Sequence, residues 1–258
     1  MKKLIRKVIK NILSFITLKI ITTNNIKSIV VFGDNFADIA VEGIYNVLKD
    51  REYKVRRNYV NFDRDIDIPI FIGLDKDNFS FINFLLLLIK FPFIIFFKNK
   101  KDEYLVLNIT TYNAAVVHFY LSFLKPISSV FLDITKKSSI YQDRIIDNSQ
   151  DNANIIYDGD SIFKNYLVFD INKKYYSFGE NIKNKLVFSS NNDEMDIVYD
   201  NHSYTLKKKS EDVSLKVIAC IILTCVSLDI SFHNVLSSIE KFNVPHRKLQ
   251  KVFEKFMK

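Results

Sequence analysis

The chain has 258 residues, of which 48% are hydrophobic and 26% are charged, and its formal net charge is +8 at pH 7. This composition excludes an intrinsically disordered chain and predicts a globular protein large enough to bury a substantial core. The two cysteines, Cys220 and Cys225, lie in one apolar run without a further Cys/His cluster. This excludes a disulfide scaffold or a zinc module and indicates reduced core residues of a cytoplasmic protein.

Charge and glycine content narrow the classes of partner. A net charge of +8 favours an anionic surface, either lipid or nucleic acid, or is simply a solvated basic surface. Because no motif that recognises RNA or DNA is present, we expect no nucleic-acid partner. Glycine is scarce, with 5 in 258 residues, or about 2% against an average of about 7%. Backbone approaches phosphate most closely at glycines, so this scarcity argues against a phosphate-binding loop.

Residues 1–21 predict a helix whose apolar and basic side chains are separated. No small-residue cleavage site follows, which argues against a secretory signal. Such a helix either lies on anionic lipid or packs on the neighbouring domain, and the sequence leaves both open. We expect residues 1–25 to form this helix and residues 26–258 to form one domain. The apolar stripe contains Leu4, Ile5, Val8, Ile12, Phe15 and Ile16, and the basic residues elsewhere are Lys3, Arg6, Lys7 and Lys10.

The next elements alternate between strand and helix. "SIVVFG" (28–33) predicts a buried strand and "DIAVEGIYNVLKD" (38–50) a helix. Residues 53–74 predict a short strand, a polar loop and an apolar run that contains Pro69. "EYLVLNIT", "AAVVHFYLSFL" and "SSVFLDIT" then predict strand, helix and strand, the helix ending before Lys125–Pro126. This order predicts an α/β fold with a mainly parallel sheet flanked by helices.

Residues 79–101 are apolar enough to raise the question of a membrane span. Lys90 and Pro92 interrupt the stretch near its centre, and a charge at mid-bilayer costs about 2.5–3.5 kcal/mol on insertion scales. We therefore predict a buried helix that ends before Pro92, followed by a strand at "FIIFF".

The second half predicts shorter elements. Residues 136–153 predict a polar break, and "NIIYDGD", "YLVFDI" and "KYYSFG" predict short strands. Residues 185–209 alternate around two turn signals and predict an antiparallel meander, so that a small antiparallel extension covers about 166–208. Two helices follow, the first buried and the second capped by Ser231.

Several short phrases, in this order, resemble the central ATPase domain of the Mur ligase family, a P-loop NTPase-like domain, and in particular the branch that adds D-alanyl-D-alanine to the cell-wall precursor. The phrases are "VVFGDNFAD" (30–38), "NFDRDIDIP" (61–69), "EYLVLNIT" (103–110), "NIIYDGDS" (154–161), "YYSFG" (175–179) and "FNVPHRKLQ" (242–250). The resemblance covers most of residues 26–250. It implies that the family's N-terminal and C-terminal domains are absent from this chain.

The resemblance also implies that the phosphate chemistry is lost. The family's loop has the form T-G-x-x-G-K-T/S, which this chain matches with Gly33, Asp34, Asn35, Phe36, Ala37 and Asp38. Ala37 stands where the family has the phosphate-binding lysine, and Asp38 stands where it has the magnesium-binding hydroxyl. A methyl group and a carboxylate therefore replace the groups that attract phosphate, and the carboxylate repels it. Phe36 replaces a glycine and blocks close approach of the backbone.

Other family positions are partly kept. Asn61 matches the family's N-x-N-N-E-I-G-x-P-L turn, and Asp160 matches its N-A-D-D-P turn. Lys248 aligns in the C-terminal P-P-x-G-R-M/L-Q motif. Asn108 stands where the resemblance places a metal-binding glutamate, and a neutral amide is a poorer magnesium ligand. The family's histidine and modified lysine have no counterpart.

These losses lead us to expect a catalytically degenerate Mur-ligase-like protein, a pseudoenzyme that acts by binding in cell-wall precursor synthesis. We expect no cofactor and no metal, an unidentified protein partner, and a cytoplasmic location that includes the inner membrane face if residues 1–21 bind anionic lipid. One alternative is a divergent ATP-dependent amide-bond ligase subunit that uses Mg-ATP and a partner chain. A second is a membrane-associated protein in which residues 1–21 and 79–97 both contact lipid.

Two further groups of residues are candidates for metal binding or catalysis. Carboxylates follow two predicted strands and either hold a divalent cation or pair with Arg56, Arg57 and Arg64; the ion pairs are the expected outcome. These carboxylates are Asp34, Asp38, Asp63, Asp65 and Asp67. The histidines, His118, His202, His233 and His246, lack metal-ligand spacing. No serine nucleophile motif is visible.

Overall fold

The computed structural model describes residues 2–33, 36–58, 66–76, 80–96, 103–109, 114–132, 136–162, 164, 167, 169–191, 194–207 and 214–242. The helices in this part of the chain are α1 (Lys2–Thr23), α2 (Ala37–Asp50), α3 (Asp67–Leu74), α4 (Phe81–Phe96), α5 (Ala114–Leu121), α6 (Lys136–Asn148), α7 (Leu215–Val226) and α8 (Phe232–Lys241). The strands are β1 (Ile26–Phe32), β2 (Lys54–Arg57), β3 (Glu103–Ile109), β4 (Ser128–Phe131), β5 (Asn154–Asp158), β6 (Lys174–Gly179), β7 (Leu186–Asn191), β8 (Glu194–Tyr199) and β9 (His202–Lys207).

Within the described residues, nine strands form one sheet in the order β2-β3-β1-β4-β5-β6-β7-β8-β9. Strands from β2 through β7 pair in parallel, whereas β8 and β9 are added as an antiparallel meander. The α/β class with a mainly parallel sheet is thereby confirmed. The antiparallel part begins at β7, later than predicted, because β6 pairs in parallel with β5. The strand predicted at "YLVFDI" is wrong at its described residues, which are in no strand.

The strands bury both faces of the sheet. Along β1, Ile29 and Val31 enter an apolar core on one face, the first core, while Val30 and Phe32 enter the second core on the opposite face. Helices α2, α7 and α8 cover the first face, and α1, α3, α4, α5 and α6 cover the second. This explains why the strand sequences are almost continuously apolar instead of alternating, as expected for parallel strands between helices.

Helix α1 packs on the second face through a stripe that overlaps the predicted one only at Ile16 among the side chains that the structure describes. Leu13, Ile16 and Ile20 are buried against that core. Ile5 and Val8, which belong to the predicted stripe, are 52% and 50% exposed. The helix is apolar on two adjoining sides, so packing on the domain uses one of them and leaves the other at the surface. Ile12 and Phe15 lie on the exposed side as well.

Helix α4 continues through Pro92, which corrects the prediction of a helix end and a following strand. The missing proline N–H deprives the carbonyl of Leu88 of its helical partner. Pro92 is at the exposed side of the helix, where water can reach such a carbonyl. Phe91 and Ile94 keep packing against the second core beyond the proline, so the helix gains by continuing. The helix is also less buried than predicted, since its outer side faces solvent.

The predicted polar break at 136–153 is largely a helix, α6. Its polar composition concealed a narrow apolar side: Ile145 and Ile146 are completely or almost completely buried, and Tyr141 packs beside them. Spacings of four and five residues between these positions were the only sequence signal for it.

Among the described residues, none of the helices is both long enough and apolar enough to cross a bilayer.

Candidate functional site

The candidate site lies where the parallel strands end at their carboxyl termini, the edge at which open α/β sheets bind ligands. The predicted phosphate loop follows β1, and the turn that contains Asp160 follows β5, with β4 between the two strands. Asn108 is at the end of β3 on the other side of β1, where it pairs with Val31. The sheet therefore brings three of the predicted regions to one edge.

The junction of β1 and α2 is described on both sides of a two-residue gap. Gly33 is buried, and Asp34 and Asn35 fall outside the described residues. Phe36 precedes α2 with φ of 59°, in the left-handed region, and its side chain makes no capping hydrogen bond. Left-handed backbone costs a residue other than glycine about 1–2 kcal/mol. The ring of Phe36 packs against the first core, which offsets this cost.

The first residues of α2 do not fit a nucleotide phosphate. Ala37 is 3% exposed and its methyl group belongs to the core, so no cation is available at this position. Asp38 lies in the first turn of α2, and its Oδ1 accepts a hydrogen bond from the amide of Ile39 at 3.0 Å. That carboxylate is stabilised by the helix dipole, and it competes with any anion for the same end of the helix.

Asn108 has a structural partner that the sequence did not indicate. Its amide N–H donates to Asn58 Oδ1 at 2.9 Å, and Asn58 Nδ2 donates to its carbonyl at 3.3 Å. Both residues are 3% exposed. Asn58 directly follows β2, and this position at the end of a neighbouring strand was the signal that could have revealed it. The pair ties the ends of β2 and β3 together.

Asp160 is the centre of a hydrogen-bonded turn. Its Oδ2 accepts from the amide of Glu180, and its Oδ1 accepts from Asn184 Nδ2 at 3.0 Å. Partial burial acts to raise the pKa of Asp160, but these hydrogen bonds and the charge of Lys216 outweigh it and hold the pKa below its ordinary value. Lys216 also pairs with Asp158 at 2.7 Å. The end of β5 therefore carries two carboxylates, one in an ion pair with Lys216 and the other accepting the hydrogen bonds of the turn.

A cavity of about 530 Å³ opens beside this turn. Aromatic side chains line one part of it, and lysine and asparagine side chains line another; examples are Tyr157, Phe169, Lys183 and Asn184. Lys164, also in its wall, donates to the carbonyl of Gly159. A flat aromatic ligand with a negative group would match this lining. Lys164 and Lys183 were not identified from the sequence, because they lie in loops without a motif.

The glycines at this turn leave room for the side chains of Asn184 and Asp160. A Cβ on Gly159 would lie 2.9 Å from Asn184 Cγ, and a Cβ on Gly179 would lie 2.6 Å from Asp160 Cγ. Two of the five glycines of the chain are therefore used to bring the ends of β5 and β6 together around Asp160.

Arg56 and Arg57 pair with glutamates, which the sequence did not predict; of the aspartates predicted as their partners, Asp34, Asp63 and Asp65 lie outside the described residues. Arg57 contacts Glu42 at 2.6 Å and stacks on Tyr45, with 4.4 Å from the guanidinium to the ring centre. Arg56 pairs with Glu103 and donates to the carbonyl of Ile72 at 3.1 Å. These guanidinium groups link β2 to α2, α3 and β3. Their engagement in the fold argues against a role in holding an anion.

The described residues give little support for metal binding or for catalysis by a nucleophilic side chain. In them no three His, Cys, Asp or Glu side chains come close enough to hold a metal ion. Burial, and secondarily the neighbouring Cys220, raises the pKa of the Cys225 thiol far above its ordinary value, so this cysteine is a core residue. Asn61, Asp63, Asp65, Arg64, His246 and Lys248 lie outside the described residues.

The chain matches no protein-family model and no curated protein sequence. Among solved structures it resembles the UDP-N-acetylmuramoylalanyl-D-glutamyl-2,6-diaminopimelate–D-alanyl-D-alanyl ligase of Acinetobacter baumannii, with a TM-score of 0.66 and 10% identity over 92% of this chain and 50% of that one. It also resembles the MurF ligase of Thermotoga maritima in complex with ADP, with a TM-score of 0.59 and 14% identity over 88% of this chain and 52% of that one.

A third similar structure is the UDP-N-acetylmuramate:L-alanyl-gamma-D-glutamyl-meso-diaminopimelate ligase of Neisseria meningitides, with a TM-score of 0.60 and 7% identity over 90% of this chain and 70% of that one. The chain spans about half the length of the first two. At these identities the similarity concerns the fold. The chain has the α/β fold of the Mur ligases.

Proposed function

We propose that this chain is a catalytically degenerate protein with the Mur ligase fold, which acts by binding a protein partner in cell-wall precursor synthesis. The observation that carries the proposal is the junction of β1 and α2. There a buried methyl group, Ala37, and a carboxylate, Asp38, occupy positions where a phosphate loop needs a cation and a hydroxyl.

The framework around this junction supports the same proposal. The strands share a continuous buried core, and both carboxylate oxygens of Asp160 accept hydrogen bonds, so the sheet and its edge remain well packed around the altered junction. Loss of phosphate-binding groups within a preserved core is the pattern expected when binding continues and catalysis does not. The similarity to ligases that assemble peptidoglycan precursors supplies the proposed context.

The test is a thermal-shift titration of the purified chain with Mg-ATP and Mg-ADP, followed by measurement of phosphate release from ATP. A ligand that binds only the native state at about 100 times its Kd would stabilise it by about 2.7 kcal/mol. We expect no saturable shift up to millimolar nucleotide and no phosphate release above background. The T. maritima MurF ligase, whose solved structure contains ADP, serves as the positive control for nucleotide binding.

A matched variant makes the result specific to the junction. Phe36→Gly/Asp38→Thr returns glycine to the left-handed position and a hydroxyl to the first turn while leaving the buried Ala37 in place. We expect this variant to remain folded and to gain measurable affinity for Mg-ADP. A saturable shift in the unaltered chain, accompanied by phosphate release, would overturn the proposal in favour of an ATP-dependent ligase subunit.

A further inference from the structure

Two helices on the second face of the sheet each present an apolar stripe to solvent. On α4 the stripe has helical spacing, and Ile82, Ile89 and Phe93 in it are 69%, 64% and 61% exposed. Leu85 and Phe96 complete it. On α1 the stripe is formed by Ile5, Val8, Ile12 and Phe15. We refer to these nine residues together as the α1–α4 surface. Large exposed apolar patches on soluble domains mark interaction sites.

The two stripes belong to neighbouring, antiparallel helices. Ile20 of α1 and Leu87 of α4 both lie next to Gly73, and one turn further along, the rings of Phe15 and Phe91 are 6.4 Å apart. Residue numbers in these contacts fall along α1 as they rise along α4. The first turns of α1 therefore lie beside the last turns of α4. The exposed side chains of both helices therefore lie side by side.

The charged residues of these two helices have one sign. Helix α1 contains six lysines and arginines and no acidic residue, and α4 contains Lys90 and no acidic residue. Arg6 and Lys7 are exposed near the start of α1. The ammonium group of Lys19 lies 5.9 Å from the centre of the Phe15 ring, so its stem covers the apolar stripe while its charge stays at the edge.

We propose that the α1–α4 surface docks on an anionic lipid bilayer, with both helices lying in the interface plane. Apolar side chains on one side and lysines at the margin, without carboxylates, are the features by which helices bind anionic membrane surfaces. A second copy of this chain is a poorer occupant. A two-fold dimer through this surface would bring two basic α1 helices together without an acidic partner for either.

The test is flotation of the purified chain with two kinds of vesicle, one of phosphatidylcholine alone and one in which roughly a third of the lipid is phosphatidylglycerol. The main variant is Ile82→Ser/Ile89→Ser/Phe93→Ser. Its matched control, Ile171→Ser/Ile182→Ser, removes side chains that are 96% and 88% exposed elsewhere on the molecule. All of these positions are exposed, so each variant should keep the melting temperature of the unaltered chain.

We expect binding to anionic vesicles, weakened by salt, and weaker by an order of magnitude or more in the triple variant but not in the control. A charge variant, Lys7→Gln/Lys90→Gln, should weaken binding to anionic vesicles, whereas Lys183→Gln/Lys207→Gln should not. The proposal is overturned if the unaltered chain does not float with anionic vesicles, or if the triple variant floats as well as the unaltered chain. Concentration-dependent dimerisation that the triple variant abolishes, without lipid binding, would also overturn it and assign the surface to a second copy.

Discussion

Asp160 connects the end of β5 to the loop after β6, because its two carboxylate oxygens accept hydrogen bonds from residues of that loop. Asp160→Asn replaces the Oδ2 acceptor by an NH₂ donor or displaces the Asn184 contact, whichever way the amide is oriented. We expect the variant to lose about 1–2 kcal/mol of unfolding free energy at pH 7. Urea unfolding at pH 7 measures this change, and Asp200→Asn, at a side chain that is 73% exposed, should change it by less than about 0.5 kcal/mol.

The difference in unfolding free energy between the unaltered chain and Asp160→Asn should depend on pH with a definite sign. The pKa of Asp160 is lower in the folded chain than in the unfolded one, so its contribution to stability is present above the unfolded value of about 3.9. As the pH falls below this value and through the folded pKa, the unfolded chain takes up the proton first and the contribution is lost. The difference between the unaltered chain and Asp160→Asn should therefore shrink in acid. A difference that stays constant down to pH 3 would contradict this assignment.

The strands could be predicted from the sequence because parallel strands with two covered faces are short, β-branched and continuously apolar. "SIVVFG" and "EYLVLNIT" needed no tertiary information to be identified as β1 and β3. Helices α4 and α6 were harder, since their ends and sides are decided by packing. Pro92 is tolerated because the helix side that contains it is exposed, and α6 is stabilised by a few buried side chains such as Ile145.

The site could be predicted only in part, because contacts between distant elements decide its geometry as well. That residues 36–38 do not suit a phosphate stays a prediction from their side-chain types, and the left-handed backbone at Phe36 adds a geometric feature that no residue pattern could supply. The pair of hydrogen bonds between Asn58 and Asn108 forms because β2 and β3 are neighbours in the sheet. Strand order follows from the three-dimensional arrangement of crossovers, so contacts between elements distant in sequence were beyond the prediction.

Helices α2 and α7 pack through Gly43, where a side chain would have no room. A Cβ on Gly43 would lie 2.9 Å from Ile221 Cγ1 and closer still to its Cδ1. Gly43→Ala gains about 1 kcal/mol in helix propensity, whereas overpacking a core typically costs about 1–3 kcal/mol. We expect net destabilisation in urea unfolding, because Ile221 is 1% exposed and cannot turn away freely.

A double-mutant cycle isolates this contact. Ile221→Val removes Cδ1 and alone should cost about 0.5–1.5 kcal/mol. In Gly43→Ala/Ile221→Val the methyl group of alanine enters part of the space that Cδ1 has vacated, so the double variant should be more stable than the sum of the single effects predicts. Effects that add to within about 0.5 kcal/mol would show that the two side chains do not compete for space.

At the scale of the whole molecule, two apolar cores share one sheet, and α1 contributes to the second. Leu13 is fully buried in that core together with Ile16 and Ile20. If α1 is a structural part of the domain, a cavity at Leu13 should destabilise the entire fold, including the first core on the opposite face. If α1 were an appendage, the same change would release the helix and leave the remaining chain as stable as before.

Leu13→Ala should therefore lower the free energy of unfolding by about 2–5 kcal/mol. Circular dichroism and tyrosine fluorescence should follow one transition, displaced to lower urea concentration by the same amount, because the sheet transmits the loss to both faces. Ile5→Ala, on the same helix but at a side chain that is 52% exposed, is the control and should shift the midpoint by less than about 0.5 kcal/mol. Two separated transitions, with only the earlier one displaced, would mean that α1 folds independently of the sheet.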